Sequence, residues 1–177
     1  MPNLAYLSLG SNVGDREARL RDAVARLGAV GRVAAVSSFY ETEPVEFTRQ
    51  PWFLNCAVAL ETSQTPQQLM TAILGIEEEM GRRRVQKKGP RSIDIDILIF
   101  VTGKTVTGET EEAIMESKEL TIPHPAMHLR RFALEPLVEI APDLLHPILG
   151  KTISELRDAL PEGQSVRQVR QSERAND

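Results

Sequence analysis

The chain has 177 residues, 41% hydrophobic and 26% charged, a composition typical of one globular domain. Its net charge of -4 argues against bulk binding of nucleic acid, and no apolar run approaches the roughly 20 residues that span a bilayer. The one cysteine, Cys56, excludes an intramolecular disulfide. The N-terminus lacks a basic segment followed by an apolar stretch, so we expect a cytoplasmic protein without a signal peptide.

The first half of the chain alternates strand and helix patterns. Three strands are predicted, over residues 4–9, 32–40 and 52–60. Two helices are predicted, over residues 15–27 and 65–80. Asp15 is a good N-cap for the first helix, and Thr65, Pro66 and Gln68 form a strong start signal for the second.

The second half contains the clearest strand, over residues 92–101, and then helices over 126–140 and 152–160. The polar stretch 102–119 is interpreted as an insertion or a hairpin. The order β-α-β-β-α-β followed by helices predicts an α+β fold, with a ferredoxin-like antiparallel sheet and helices on its faces in three αβα layers. We expect one domain over 1–161 and a frayed polar tail over 162–177.

Two carboxylates lie in the strand over residues 92–101. Its isoleucines alternate, which predicts one buried face made of Ile93, Ile95, Ile97 and Ile99. Asp94 and Asp96 then share the other face, roughly 7 Å apart. Asp is disfavoured in strands, and a divalent cation such as magnesium would compensate the two charges. The alternative is a strand with one solvated face.

A basic segment precedes this strand. Six cationic residues fall within ten positions that contain no acid: Arg82, Arg83, Arg84, Lys87, Lys88 and Arg91. Cations beside a metal site are typical of polyphosphate binding, because they neutralise charge that develops during transfer. The alternative is a solvated surface loop.

Four other residues have both a functional and a structural interpretation. Glu77, at the edge of an apolar helix stripe, either orients a ligand or is a helix-surface acid. His124 lies between two prolines and either meets a phosphate or is structural. Phe53 and Asn55 share a strand face and either read a flat heterocycle or belong to the core.

The segment 87–98, KKGPRSIDIDIL, is similar to the signature of the 6-hydroxymethyl-7,8-dihydropterin pyrophosphokinase family. The similarity runs from residue 4 to about residue 147. Further matching segments lie at residues 9–12, 37–42, 53–55, 76–77, 81–82 and 123–124, together with Arg130 and Phe132. Lys88 departs from the family, in which an aromatic residue often precedes the glycine of the signature.

The resemblance implies a reaction in folate biosynthesis. The hydroxymethyl oxygen of the pterin would attack the β-phosphorus of ATP, so that pyrophosphate is transferred and AMP leaves. Two Mg²⁺ ions would be bound by Asp94 and Asp96, and these aspartates with Arg82 and Arg91 would be the catalytic residues. The same resemblance implies a magnesium-dependent transferase that acts on small molecules as a monomer, without nucleic acid or membrane.

The resemblance also implies the binding residues. The ATP residues would be Glu77, Arg82, Arg84, Arg91, Ile97, His124 and Arg130. The pterin residues would be Thr42, Glu43, Val45, Phe53, Asn55, Asp94 and Phe132, with Phe53 and Phe132 sandwiching the ring.

Three other functions were weighed against this one. A sheet with a basic loop can bind RNA, but the chain has no stretch of stacking aromatics of the kind such sheets carry. A nucleotidyltransferase also pairs carboxylates on a strand and would release pyrophosphate instead of AMP. A regulatory binding protein would not need the intact aspartates and arginines.

Overall fold

The computed structural model describes residues 2–43, 51–81, 92–103, 111–112, 114–117 and 120–169, and the fold is built from these. The first elements are β1 (Asn3–Ser11), α1 (Arg16–Leu27), β2 (Arg32–Val36), β3 (Tyr40–Thr42), β4 (Phe53–Thr62) and α2 (Pro66–Glu79). The later elements are β5 (Asp94–Thr102), β6 (Glu111–Glu112), β7 (Met115–Glu116), β8 (Thr121–Ile122), α3 (Arg131–Ile140), α4 (Ile153–Asp158) and β9 (Val166–Gln168).

Seven strands form one antiparallel sheet in the order β6-β5-β1-β4-β3-β9, with β2 also paired to β4. Strands β7 and β8 pair separately. The prediction of a mixed α/β protein with an antiparallel sheet is therefore confirmed, and the finer ferredoxin-like topology stays a prediction. Among the residues that the structure describes, no helix is long and apolar enough to cross a membrane.

The helices begin where local sequence signals place them. The Asp15 carboxylate accepts the Ala18 N–H at 3.1 Å and so caps α1. Thr65 and Gln68 form a reciprocal capping box at the start of α2. A second capping box, formed by Thr152 and Glu155, starts α4.

Two apolar clusters cover the two faces of the sheet. One contains residues of α1 and α2, such as Leu20 and Ile73, together with Leu7 and Leu9 of β1. The other contains residues of α3 and α4, such as Leu134. Because side chains alternate along a strand, the central strands β1, β4 and β5 contribute to both clusters.

The alternation in β5 contains one irregularity that the sequence did not reveal. Ile93, Ile95 and Ile97 belong to the cluster under α1 and α2, as predicted. Ile99 belongs instead to the cluster under α3 and α4, so its predicted orientation was wrong. The register against β1 shifts between Tyr6 and Leu7, and such a bulge reverses the faces of the residues beyond it.

The predicted strand over residues 32–40 is two strands. The ladder of β2 on β4 ends at Val36, and β3 begins at Tyr40. Between them, the Ala57 N–H donates to the Ser37 hydroxyl at 2.8 Å, and the Ser37 N–H donates to the Ala57 carbonyl at 2.9 Å. A side-chain oxygen therefore takes the place of a ladder carbonyl and interrupts the strand.

The end of the chain differs from the prediction in two places. The predicted helix 126–140 is a 3-10 turn, Met127–Leu129, followed by α3 from Arg131. The polar segment after residue 161 was expected to fray, but Val166–Gln168 forms β9 on the edge of the sheet beside β3. Within the polar stretch 102–119, β6 pairs with the end of β5, and β7 pairs with β8.

Candidate active site

Asp94 and Asp96 project from β5 on the face that carries α3. Both side chains are half-buried, and the isoleucines between and beside them, Ile93, Ile95 and Ile97, are buried on the opposite face. In the antiparallel register, Asp94 lies opposite Gly10 and Asp96 lies opposite Ser8. The predicted carboxylate pair is therefore present on a rigid strand next to the centre of the sheet.

Gly10 links the two halves of the site. It is paired with Asp94 on one side and with Asn55 on the other, so the three residues form a row across β5, β1 and β4. Two strand spacings separate the backbones of Asp94 and Asn55 by roughly 10 Å. A Cβ at position 10 would lie only 2.5 Å from Asn55 Nδ2, so a side chain there would displace the amide.

A second row of small residues lies beside the first. Ser8 is paired with Ala57 and with Asp96, and its side chain occupies the same face as Gly10 because the two are separated by one residue. Gly10, Ser8 and Ala57 thus make a shallow floor between the carboxylates and Asn55. This floor was not predicted from the sequence, although the alternation of β1 around Leu9 indicates that Ser8 and Gly10 share a face.

Asn55 is held by its neighbours. The Thr42 hydroxyl donates to Asn55 Oδ1 at 2.5 Å, and Asn55 Nδ2 donates to the Leu9 carbonyl at 3.4 Å. Both Thr42 and Asn55 are buried. The half-buried Phe53 lies on the same face, and its ring is 3.7 Å from the place of a Gly10 Cβ. Three of the predicted pterin residues are therefore neighbours at one end of the floor.

His124 lies beside β5 near the carboxylates. Its backbone N–H donates to the Leu98 carbonyl at 2.9 Å, and its Nδ1 accepts the Ala126 N–H at 3.2 Å. Burial and the positive charge of Arg130 lower the pKa of His124 to about 4, against the opposing effect of Asp94. The imidazole is therefore neutral at pH 7 and can donate a hydrogen bond from Nε2.

Arg130 and Phe132 flank the start of α3. The Arg130 guanidinium carbon lies 5.5 Å from the centroid of the Phe132 ring, within range of a cation-π contact. Phe132 is half-buried and packs against the cluster under α3. A predicted ATP residue and a predicted pterin residue therefore lie next to each other.

Glutamate 139 fixes α3 to the strand that carries Thr42. The Tyr40 hydroxyl donates to Glu139 Oε1 at 2.6 Å, and the Ser38 N–H donates to Glu139 Oε2 at 2.7 Å. Burial and the Glu139 carboxylate raise the pKa of Tyr40, so the phenol stays protonated. This contact ties α3, the helix of Phe132, to the strand that precedes Thr42.

Glu77 has a different environment from the two aspartates. It is 4% exposed, and its carboxylate accepts the Ile95 N–H at 2.9 Å. The β6 ladder reaches only Val101 and Thr102, so Glu77 occupies the edge of β5 near the aspartates. Its position supports the strand that carries them, and its role towards ATP stays a prediction.

Four of the predicted site residues, Val45, Arg82, Arg84 and Arg91, lie outside the described residues. Glu43, which follows β3 directly, is half-buried, and Ile97 is buried under α1 and α2. Any contact of Ile97 with a ligand is therefore made by its backbone.

The donors suit magnesium. Within the part of the chain that the structure describes, no group of three His, Cys, Asp or Glu side chains converges on one point. Magnesium usually takes one or two protein carboxylates and completes its shell with water and substrate phosphates. Asp94 and Asp96 satisfy that requirement, because they supply hard oxygen donors on an open face of the sheet.

The paired carboxylates, the neutral histidine, the arginine and the small-residue floor share one face of an antiparallel sheet. This arrangement defines the class of enzymes that transfer a phosphorus-containing group to a small molecule. The chain belongs to the 7,8-dihydro-6-hydroxymethylpterin-pyrophosphokinase (HPPK) family, whose model matches residues 6–142.

Curated relatives are similar over most of the chain. The 2-amino-4-hydroxy-6-hydroxymethyldihydropteridine pyrophosphokinase of Bacillus subtilis is 46% identical over 142 residues, which cover 79% of this chain and 79% of the relative. The Methylorubrum extorquens protein of the same name is 45% identical over 153 residues, and the match covers 89% of that protein. "Folic acid synthesis protein fol1" of Schizosaccharomyces pombe is 41% identical, but the chain spans only 20% of its length.

Solved structures support the fold. The Plasmodium falciparum HPPK-DHPS wild type with pterin and p-hydroxybenzoate matches with a TM-score of 0.65 at 19% identity. That match covers 89% of this chain and 43% of the Plasmodium chain. At such low identity the likeness speaks for the fold alone, and the chain spans less than half of that protein.

Proposed function

We propose that this protein transfers pyrophosphate from ATP to the hydroxymethyl group of 6-hydroxymethyl-7,8-dihydropterin in folate biosynthesis and releases AMP. Membership of the pyrophosphokinase family supports the reaction. The structural observation that carries the proposal is the row Asn55, Gly10 and Asp94. Through Gly10, which has no side chain, it joins an amide able to bond a heterocycle to a carboxylate able to hold a metal.

The transfer forms one bond and breaks another. The pterin hydroxymethyl oxygen bonds to the β-phosphorus of ATP, the bond from that phosphorus to the oxygen of the α-phosphate breaks, and the hydroxyl proton is released. Such a transfer needs positioning and charge neutralisation and no covalent nucleophile. Asp94 and Asp96 would hold Mg²⁺, which supplies charge neutralisation at the phosphates when bound.

The described residues have separate tasks in this proposal. Thr42 and Asn55 bond the polar edge of the pterin, while Phe53 and Phe132 contact its ring. His124 and Arg130 meet the ATP phosphates, with the neutral imidazole donating from Nε2. Arg82, Arg84 and Arg91 would complete the ATP site, and Val45 the pterin site, from outside the described residues.

We also infer the finer organisation of the chain. The antiparallel order β5-β1-β4-β2 supports a ferredoxin-like topology. One catalytic domain over 1–161, binding of two Mg²⁺ ions, a monomeric state and a cytoplasmic location remain part of the proposal. A gel-filtration run with a light-scattering detector tests the monomer.

The experiment is incubation with ATP, Mg²⁺ and 6-hydroxymethyl-7,8-dihydropterin, followed by separation of the nucleotides. AMP formation that needs all three and stops on addition of EDTA supports the proposal. Release of free pyrophosphate without a pterin diphosphate would favour a nucleotidyltransferase, and formation of ADP would favour an ordinary kinase. A folded sample without any turnover would contradict the proposed activity.

A further inference from the structure

The last described residues of the chain lie outside the family match but against the site. The family model ends at residue 142, whereas residues 160–169 cross from α3 to the edge of the sheet. We call residues 160–169 the C-terminal strap. Its strand β9 pairs with β3, so that Val166 lies opposite Thr42 and Arg167 lies opposite Glu41.

The strap holds both backbone groups of Glu43. The Glu43 N–H donates to the Ser165 carbonyl at 3.0 Å. The Gln164 side-chain amide donates to the Glu43 carbonyl at 2.6 Å. Since Glu43 follows Thr42 and the Thr42 hydroxyl is bonded to Asn55, the strap is linked to Asn55 through Glu43 and Thr42.

The other end of the strap is bonded to α3. Arg131 Nη2 donates to the Pro161 carbonyl at 3.2 Å, and Arg131 is adjacent to Phe132. Between its two ends, the strap stands away from α3 and leaves a cavity of about 440 Å³, lined by Arg131, Glu135 and residues 162–166. The named hydrogen bonds and the pairing of Val166 with Thr42 link this part of the strap to β3 and Glu43.

We propose that the C-terminal strap positions the pterin-binding residues, with Gln164 as its principal positioning residue. It ties the strand of Thr42 and Glu43 to the helix of Phe132, and so holds the two sides of the pterin site at a fixed separation. The inference rests on the proposed function and on the predicted roles of these three residues. On this inference the C-terminal strap is a determinant of pterin affinity.

The ladder geometry provides a matched pair of proline variants. The Glu43 N–H bonds Ser165, and the Val169 N–H bonds the Phe39 carbonyl, so the hydrogen-bonded positions alternate along β9. The Arg167 N–H therefore faces Glu41, whereas the Gln168 N–H faces away from β3. R167P removes a ladder donor. Q168P removes no ladder donor and loses only the exposed bond from Gln168 Nε2 to the Ser38 hydroxyl.

Two further substitutions each change one side chain of the strap and leave its backbone hydrogen bonds in place. Q164M keeps the volume of the side chain and removes the donor to Glu43. R167A removes the 3.0 Å contact with the Glu41 carboxylate and leaves the backbone intact. Each variant is compared with the wild-type chain in thermal melting, so that a folding defect is seen independently of turnover.

We expect Q164M and R167P to raise the KM for 6-hydroxymethyl-7,8-dihydropterin by about 3- to 10-fold, the effect of one lost hydrogen bond. The KM for ATP and kcat at saturating pterin stay within about twofold, because the strap does not contact the carboxylates. R167A and Q168P stay near wild type. If R167P does not fold, Q164M alone decides the result.

The outcomes separate this inference from the proposed function. An active wild-type enzyme with unchanged pterin KM in Q164M and R167P overturns the strap as a positioning element. Equal increases in both KM values overturn it too, since the effect is then general. A wild-type chain that folds but forms no AMP contradicts the proposed function instead. Isothermal titration with the pterin and a non-hydrolysable ATP analogue gives a second measure of the same affinity.

Discussion

The two faces of the central sheet have different compositions. The face under α1 and α2 is almost wholly apolar, and its β1 residues Leu7 and Leu9 are fully buried. The face under α3 carries the aspartates, Asn55 and the floor of Ser8 and Gly10. Both sets alternate along the same strands, so one β1 strand serves a core and a site at once.

The contrast shows how a rigid site is built at low cost in stability. Burial of one face supplies apolar contacts for four strands of the central sheet, β1, β2, β4 and β5, and for two helices. The other face is left free for polar residues where α3 does not cover it. A carboxylate on such a strand needs no support from a loop. Substitutions on the two faces should therefore separate catalysis from stability, and each prediction below tests that separation.

The largest effect is expected on the polar face, for Asp96→Asn. Loss of a carboxylate that would bind Mg²⁺ should lower AMP formation by about 10³-fold or more. The melting temperature should change by only a few degrees, because the substitution keeps the size of a half-buried side chain outside the apolar clusters. Product assays and thermal melting measure the two quantities.

Glu78→Gln, on the exposed side of α2, is the charge-matched control for this substitution. An equal loss of activity in that variant would refute the assignment of Asp96 to the metal site.

The opposite pattern is expected for Ile73→Ala on the apolar face. Ile73 is fully buried, and truncation should lower the free energy of unfolding by about 2–5 kcal/mol. At temperatures well below the melting transition, kcat should change by less than about twofold, since Ile73 packs in the cluster on the face of the sheet opposite the aspartates. Urea unfolding and steady-state kinetics test this, with Leu129→Ala as the control because Leu129 is 68% exposed. A large fall in kcat without unfolding would mean that the faces are coupled.

A smaller and mixed effect is expected for Glu77, which lies where the two faces meet. Glu77→Ala removes the carboxylate that accepts the Ile95 N–H and should cost about 1–3 kcal/mol of stability. Glu77→Gln keeps an acceptor oxygen and should recover most of this loss. If the carboxylate also orients ATP, Glu77→Gln will show a raised KM for ATP at normal stability. Urea unfolding and ATP kinetics distinguish these results.

The sequence predicted the features that depend on neighbours in the chain. The capping residue Asp15 and the alternation around Asp94 are local signals, and both are present in the structure. The row through Gly10 could not be predicted, because strand register joins residues more than 40 positions apart. The bulge before Ile99 and the three-residue edge strand β9 leave no periodic pattern in the sequence. Tertiary pairing decided these features.

The smallest effect is a pH dependence expected on the α3 side. His146 is 4% exposed, and its Nδ1 accepts the N–H groups of Ile148 and Leu149 at 3.2 and 3.1 Å. Burial, with a smaller contribution from His128, lowers the pKa of His146 below 6.5. The unfolded chain therefore binds more protons than the folded chain just below pH 6.5, so stability falls as the pH drops through this range.

The expected loss is about 1 kcal/mol or less between pH 7.5 and 5.5. Urea midpoints at those two pH values measure it in the wild type and in His146→Asn, whose amide oxygen can accept the same N–H groups. His124 contributes with the same sign, because its pKa is also lowered, so only the difference between the two proteins reports His146. Identical pH dependence in both would show that His146 titrates alike in the folded and unfolded chains. A weaker dependence in His146→Asn would place a pH-sensitive contribution to stability on the polar side of the sheet. The apolar cluster under α1 and α2 has no histidine among its described members and so makes no corresponding contribution.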